Sequence, residues 1–454
     1  MTAELETSRK VLCGWGRTAP TTGLVCRPGD DAAAEKVLAG RPGHLIARGL
    51  GRSYGDAAQC SGGLTVDTSA LSWIGEVDAA SATVAVGAGT SLHDLMRHVV
   101  PAGWFVPVTP GTRYVSVGGA IAADVHGKNH HRDGSFARHV VEMTLATPLG
   151  TSTVSPEQDP ELFWATAGGM GLTGIVLRAT LRLIPIETTW MQVESSPYAR
   201  LEDLVDEMVR TDESYRYSVA WLDCVRRRGG DVRSILTRGD HAPAAALPAR
   251  LQTRRLEVPG DPRLKVWRPP PGRLVNRYSV RAFNEAWFRA SGPARETLRP
   301  LAPFFHPLDG VARWNLLYGP DGFVQYQFAV GPDRGDVVVE AVNAISASGV
   351  PSFLAVLKRF GPGTPGPLSF AQEGWTLALD FPVGPEALPP LLDRLDQDVA
   401  AAGGRVYLAK DSRLRPELVP PMYPRAAEMA AVCRRVDPEG LLTSDLARRL
   451  GIAR

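Results

Sequence analysis

Between residues 40 and 185 short apolar runs of strand length alternate with glycine-rich turns. LIARG (45–49) reads as a strand entering the turn GLGRSYGD, and GLTVD (63–67) as a second strand. ATVAVGAGTSLHDLMRHVV (82–100) predicts a strand followed by a helix capped by Thr90 or Ser91. VEMTLATPLGTSTV (141–154) predicts a hairpin about Pro-Leu-Gly, and DPELFWATAGGMGLTGIVLRATLRLIPI (159–186) a short helix, a glycine turn and a long strand. From 188 to 404 the texture shifts to longer amphipathic helices, such as ARLEDLVDEMVRT (199–211), and strands such as YSVAWLD, GFVQYQFAV and WTLALDFPV. After GGRVYLAKDSR (403–413) the chain turns helical again, with VDPEGLLTSDLARRL expected to pack back on one of the domains. The pattern predicts an α+β protein divided near 187 and 404, without internal repeats.

A chain of 454 residues has material for two or three domains. Fifty basic against 48 acidic side chains leave +2, so nothing global points to nucleic acid. Locally the balance differs. Residues 240–281, rich in Pro and Arg, hold nine basic side chains (Arg250, Arg254, Arg255, Arg263, Lys265, Arg268, Arg273, Arg277, Arg281) against three acidic ones, and the rest of the chain is mildly acidic. We expect this stretch to be a structureless, mobile lid. Only six of the fifty basic residues are lysines: Lys10, Lys36, Lys128, Lys265, Lys358 and Lys410. Each merits notice, because an ammonium titrates where a guanidinium does not. Five cysteines without a CxxC pair argue against a disulfide framework or a zinc knuckle. Acidic residues near the N-terminus do not fit a signal peptide, and no apolar run reaches membrane-span length. The expectation is a soluble chain, cytoplasmic or peripheral at the inner membrane or cell envelope.

GLGRSYG places Gly49, Gly51 and Gly55 directly after a strand, yet Tyr54 stands where a Rossmann site needs glycine, and a second strand follows instead of a helix. Successive backbone N–H groups of such a turn can instead form an anion nest. PGTRYVSVGGAIAADVHGKNHH (110–131) adds Gly111, Thr112, Gly118 and Gly119 and a run of small residues ending in polar ones, suited to a flat ligand. His126, His130 and His131 lack acidic or cysteine partners and have Lys128 among them, so no metal site is expected. Gln325 and Gln327 alternate on one strand and point to the same face.

ARGLGRSYGD, PGTRYVSVGGAIAADVHGKNHH, ELFWATAGGMGLTGI, FFHPLD, GFVQYQF, SFLAVLKRFGP and YLAKDSR, in that order, resemble the decaprenylphosphoryl-β-D-ribose 2′-oxidase family. The likeness runs from GWGRTAP at 14 to SDLARRL at 450 and places the chain among flavoproteins of the vanillyl-alcohol oxidase type. It implies a two-domain fold: a split FAD-binding domain from residues 1–187 and 405–454, with an α+β substrate domain over an antiparallel sheet between. It implies FAD contacts from Ala47, Arg48, Gly49, Leu50, Gly51, Arg52, Ser53, Tyr54, Gly55, Asp56 and Ala57. Further contacts would come from Gly111, Thr112, Ser116, Val117, Gly118, Gly119, Ala123, Asp124, Val125, His126, Ile175 and Tyr407. On the substrate side it implies Lys128, Trp221, Gln325, Gln327, Lys358 and Lys410, with Lys410 and His126 catalytic. Trp221 could equally be core.

The implied reaction is oxidation of the 2′-hydroxyl of a polyprenylphosphoryl ribofuranose, completed by an NADH-dependent keto-reductase partner, with peripheral membrane contact for the lipid. An alditol or aldonolactone oxidase, or a sugar oxidase of secondary metabolism, is the alternative. Where many relatives tether the flavin to a histidine, this chain has Arg52, so noncovalent FAD is expected. Ala378 stands where mycobacterial members carry a cysteine.

Overall fold

The computed structural model describes residues 6–452 except 226–231, 259, 263 and 271–273. It is α+β, with three main sheets. The first has strands Thr7–Leu12, Thr21–Cys26, Leu64–Asp67 and Leu45–Arg48 in that spatial order. The second is five-stranded and antiparallel, with Ile175–Arg182 at its centre between Thr83–Gly87 and Val140–Thr147. The hairpin pairing Val140–Thr147 with Gly150–Val154 turns at Pro-Leu, as the pattern predicts. Ser91 settles the choice of cap for the helix Leu92–Val99: its Oγ accepts from Asp94 N at 3.0 Å, while Thr90 Oγ1 bonds the Trp73 backbone.

The third sheet has eight antiparallel strands in the order Arg295–Pro300, Trp190–Tyr198, Ser234–His241, Tyr217–Leu222, Ala355–Phe360, Gly374–Pro382, Phe323–Val330, Arg405–Val406. Gly374–Pro382 is buried along its whole length, which accounts for the near-continuous apolar run WTLAL. Helices Gly335–Ser348 and Leu388–Ala401 pack against each other and on this part of the sheet. Leu201, Leu204 and Met208, spaced three and four apart, bury one face of Leu201–Thr211 on the other part.

Residues from 405 onward tie the sheets together. Arg405–Val406 is an edge strand of the eight-stranded sheet, so pairing crosses the expected boundary at 404. Farther on, Leu45 N donates to Leu441 O at 2.7 Å and Thr443 N to Leu45 O at 2.9 Å, stitching the tail to the first sheet. The guanidinium of Arg449, on the helix Asp445–Leu450, bonds Asp56 at 2.9 Å and Asp411 at 2.8 Å.

The stretch 240–281 is not structureless. Ser234–His241 ends in it, a helical turn occupies Ala249–Gln252, Leu264–Lys265 pairs in parallel with Val311–Ala312, and the 15-residue helix Arg277–Ser291 begins in it. Asn276 caps that helix through a reciprocal bond with Ser279. Arg263 and Arg273 lie outside the described residues.

Candidate active site

A deep cleft runs between the glycine turns of the two smaller sheets and one face of the eight-stranded sheet. The turn after Leu45–Arg48 forms one end. Gly51 takes a left-handed φ of 63°, and a Cβ there would meet the Arg48 guanidinium 2.4 Å away. Arg48 braces the turn by donating to Cys13 O at 2.8 Å and Ala58 O at 3.1 Å. Among the described residues, the N–H groups of Leu50, Gly51, Arg52 and Ser53 donate to no protein acceptor, leaving four successive donors along one wall. Arg52 lies over the Trp15 ring at 4.0 Å and donates to Tyr114 O at 3.0 Å. Small residues line the next stretch: Gly118 sits where a Cβ would be 3.0 Å from that of Ala88, which lets the short helix Val117–Ala122 lie close against its neighbour.

The opposite wall is set by strand register. Gln327 pairs with Ala378, Ala378 with Val356 and Val356 with Trp221, so the four share one face of the sheet. Gln325, opposite Asp380, and Lys358, opposite Thr376, lie on that face too. His126 reaches this wall from the loop after the short helix. Its Nε2 lies 2.9 Å from Gln327 Nε2 and its Nδ1 3.1 Å from Lys358 Nζ, and Phe360, Phe370 and Tyr407 surround the ring. Gln325 donates to Asp380, which also accepts from Tyr318 OH at 3.2 Å. Lys410, in the turn after the last edge strand, holds its Nζ 3.9 Å from the centroid of the Tyr54 ring.

Burial dominates the electrostatics. It pushes the Lys410 ammonium down to about 7 against the opposing pull of Asp380, and Lys358 down to about 7 with help from the Lys128 and Lys410 cations. Asp380 is raised by burial to about 6. Burial, followed by Lys358, His130 and Lys410, holds His126 well below its ordinary value, so it is neutral at pH 7. Lys410 makes no ion pair with Asp411 or Asp380 among the described residues, and Asp411 pairs instead with Arg449. A cleft with N–H donors at one end and two titratable amines at the other suits a large anionic ligand plus a neutral, proton-losing one.

A model described as an FAD binding domain matches residues 25–154. The decaprenylphosphoryl-beta-D-ribose oxidase of Mycolicibacterium smegmatis is 42% identical over 456 residues, covering 99% of each chain. The chain belongs to the decaprenylphosphoryl-β-D-ribose oxidase family. A Streptomyces coelicolor protein described as an uncharacterized protein in the mprA 5′ region is 44% identical over 80% of this chain and all of its own. Cytokinin dehydrogenase 4 of Arabidopsis thaliana is 33% identical over 34% of this chain and 31% of its own.

This oxidase-family chain is an FAD-dependent oxidoreductase, and the cleft fits that cofactor. The unshared N–H groups of 50–53 offer a nest for a diphosphate, and Gly118, Gly119, Ala122 and Ala123 leave room for a flat ring system. Of the residues the resemblance implies, Ala47, Gly49–Tyr54, Ala57, Gly111, Thr112, Ser116, Gly118, Gly119, Ala123, Val125, His126, Gln325, Gln327, Lys358, Tyr407 and Lys410 line the cleft. Eight do not. Arg48 braces the turn from behind, and Asp56 holds Arg449. Gly55 allows close approach of the tail, since a Cβ there would be 2.0 Å from Asp411 O. Val117 and Ile175 are wholly buried in the core, and Asp124 accepts from Ala137 N and Thr364 Oγ1. Lys128 Nζ is spent on Phe304 O and the Phe304 ring. Trp221 is half-buried, one strand beyond the lining Val356.

Sequence reasoning missed Trp15, Met170, Gly171, Trp314 and Leu354, all of which line the cleft. Only distant parts of the chain bring Trp15, Trp314 and Leu354 there, whereas Met170 and Gly171, with left-handed φ of 55° and 82°, belong to the glycine turn already noticed. A lone aspartate inside the apolar strand WTLALDFP was a legible signal for Asp380, whose carboxylate is fully buried.

Proposed function

We propose that this chain oxidises the 2′-hydroxyl of a polyprenylphosphoryl-β-D-ribofuranose to the 2′-keto sugar. One observation carries the reading: the wall bearing Lys358, Lys410, His126, Gln325 and Gln327 faces the same cleft as the diphosphate nest. Bound FAD supplies the two-electron acceptor that no side chain can be. The protein's part is to hold the sugar and manage a proton. Gln325 and Gln327, two apart on one strand, offer amides to sugar hydroxyls. Lys410 orients the 2′-oxygen and stabilises its developing negative charge, and the π-face of Tyr54 beneath it favours the ammonium form.

The lipid part of the substrate is supported by the surface around 264–291. Leu264, Trp267, Leu274, Tyr278, Phe283 and Trp287 are six of the twelve large hydrophobic residues exposed among the described residues, and Lys265, Arg268, Arg277, Arg281 and Arg289 stand among them. Apolar and cationic groups together suit a prenyl chain, its phosphate and anionic headgroups. The face adjoins the cleft: Arg313 holds the Trp267 carbonyl at 3.2 Å, and the next residue, Trp314, lines the cleft. No helix of the described residues is long and apolar enough to cross a membrane, so contact would be peripheral. A keto product that must be reduced elsewhere calls for an NADH-dependent reductase in trans.

Anaerobic addition of farnesylphosphoryl-β-D-ribofuranose to the FAD-loaded protein should bleach the flavin absorbance. A flavin that stays oxidised with this substrate and bleaches with a free alditol would overturn the proposal.

A further inference from the structure

The polarity of the hydrogen bonds behind His126 separates the roles of the two cleft lysines. Thr376 Oγ1 lies 2.8 Å from Phe328 O, and a carbonyl only accepts, so the single hydroxyl proton is committed there. The Gln327 atom 3.1 Å from Thr376 Oγ1 must then be a donor, which fixes the amide with its nitrogen toward Thr376. The same nitrogen lies 2.9 Å from His126 Nε2, and its second N–H makes that Nε2 an acceptor. A neutral imidazole that accepts at Nε2 carries its proton on Nδ1. Nδ1–H faces Lys358 Nζ at 3.1 Å and can donate only to a lone pair. An ammonium at Lys358 would set proton against proton.

We propose that Lys358 is held as a neutral amine in the resting enzyme and takes the proton that leaves the substrate hydroxyl, with Thr376, Gln327 and His126 as positioning residues. The inference rests on the function proposed above. In the step, the Lys358 lone pair turns from His126 Nδ1–H to the substrate, giving up that hydrogen bond; the substrate O–H bond breaks and its proton becomes the third hydrogen of an ammonium turned away from His126, while the carbinol hydrogen and two electrons leave by the redox chemistry that FAD would supply. The charged and titratable groups around Lys358 agree with a neutral amine. His126 and His130 face it from the loop and helix beyond the small-residue stretch, the Lys128 and Lys410 cations repel a further charge, and full burial does the rest. Lys410 differs in having the Tyr54 face and the Asp380 carboxylate to favour its charge. One lysine is the cation and the other the base.

The tautomer can be read without substrate. In FAD-loaded protein labelled with 15N-histidine, and with His126 assigned by its loss in His126→Gln, the ring at pH 8 should carry its proton on Nδ1. Thr376→Val should release the Gln327 amide and populate Nε2–H, which loss of packing alone would not do. With the ribose substrate, kcat should rise as Lys358 loses its proton near 7 and fall as Lys410 loses the proton its role requires, and the rising limb is the one that reports Lys358. Lys358→Met should lose that limb and about 10²–10⁴-fold in kcat with KM little changed, and Lys358→Arg should not restore it. Lys358→Cys followed by aminoethylation, which places a less basic amine there, should restore turnover and move the limb to lower pH. An Nε2–H tautomer in the unmutated protein, or an active Lys358→Arg, overturns the inference. Because the tautomer needs no turnover, it is distinguishable from a wrong substrate.

Discussion

Lys358 shows what a buried amine costs and what it makes available. Its folded-state value of about 7 lies below the ordinary 10.5, so the folded protein binds fewer protons than the unfolded chain between these values. The penalty to stability is full below about pH 7 and fades as pH rises toward 10.5. Lys358→Met should therefore melt a few degrees higher than the unmutated protein at pH 7, with the gap closing at pH 9.5, while losing turnover. Lys410→Ala should also abolish turnover yet leave a folded, yellow protein, checked by flavin absorbance after desalting. Retained activity would falsify its assigned role. Arg52 allows a simpler test. A guanidinium stacked on Trp15 has no nucleophile to offer a flavin, so acid precipitation should release all of the FAD into the supernatant. The scarcity of lysine made Lys358 and Lys410 conspicuous in the sequence. Lys128 was equally conspicuous, but its ammonium is turned to Phe304 O, a direction that only the packing of residues far apart in the chain decides.

At the scale of elements, turns and caps were legible because they are local. Ser91, the Pro-Leu hairpin and the short helix Pro160–Thr166 each follow from a few adjacent residues. Gln325 and Gln327 could be placed on one face from strand period alone, whereas the row Gln327, Ala378, Val356, Trp221 depends on the register of four strands from three regions of the chain. The glycine turns are tight enough to test singly. A Cβ at Gly49 would fall 2.0 Å from Ser116 Oγ and 3.2 Å from its Cβ. Gly49→Ala should thus cost about 1–3 kcal/mol and weaken FAD retention roughly tenfold or more. The tail clamp is another such case. Arg449→Met would leave Asp56 and Asp411, both largely buried, without their cation, at a cost of about 3–5 kcal/mol seen as a lower denaturation midpoint. No local pattern marks that clamp, because Asp56 and Arg449 are 393 residues apart.

For the whole molecule, a net charge of +2 conceals an uneven surface. The aromatic and basic face around 264–291 should carry the protein to anionic vesicles at low salt. Replacing Trp267, Phe283 and Trp287 together by Ser should abolish flotation while leaving FAD content intact. Flotation unchanged by these substitutions, or equal on neutral vesicles, counts against a lipid role for this face. The tail, meanwhile, bears on how the enzyme is made. Residues 405–450 supply Lys410, the last edge strand and the Arg449 clamp, and they emerge from the ribosome after every other wall of the cleft. A nascent chain ending before 405 has the sequence for its glycine turns and all but the last strand of its sheets, yet it lacks Lys410, on which the proposed chemistry depends. On the proposed role of Lys410, a copy terminated before that residue should lack oxidising power, and docking of the tail is then the step at which synthesis becomes activity.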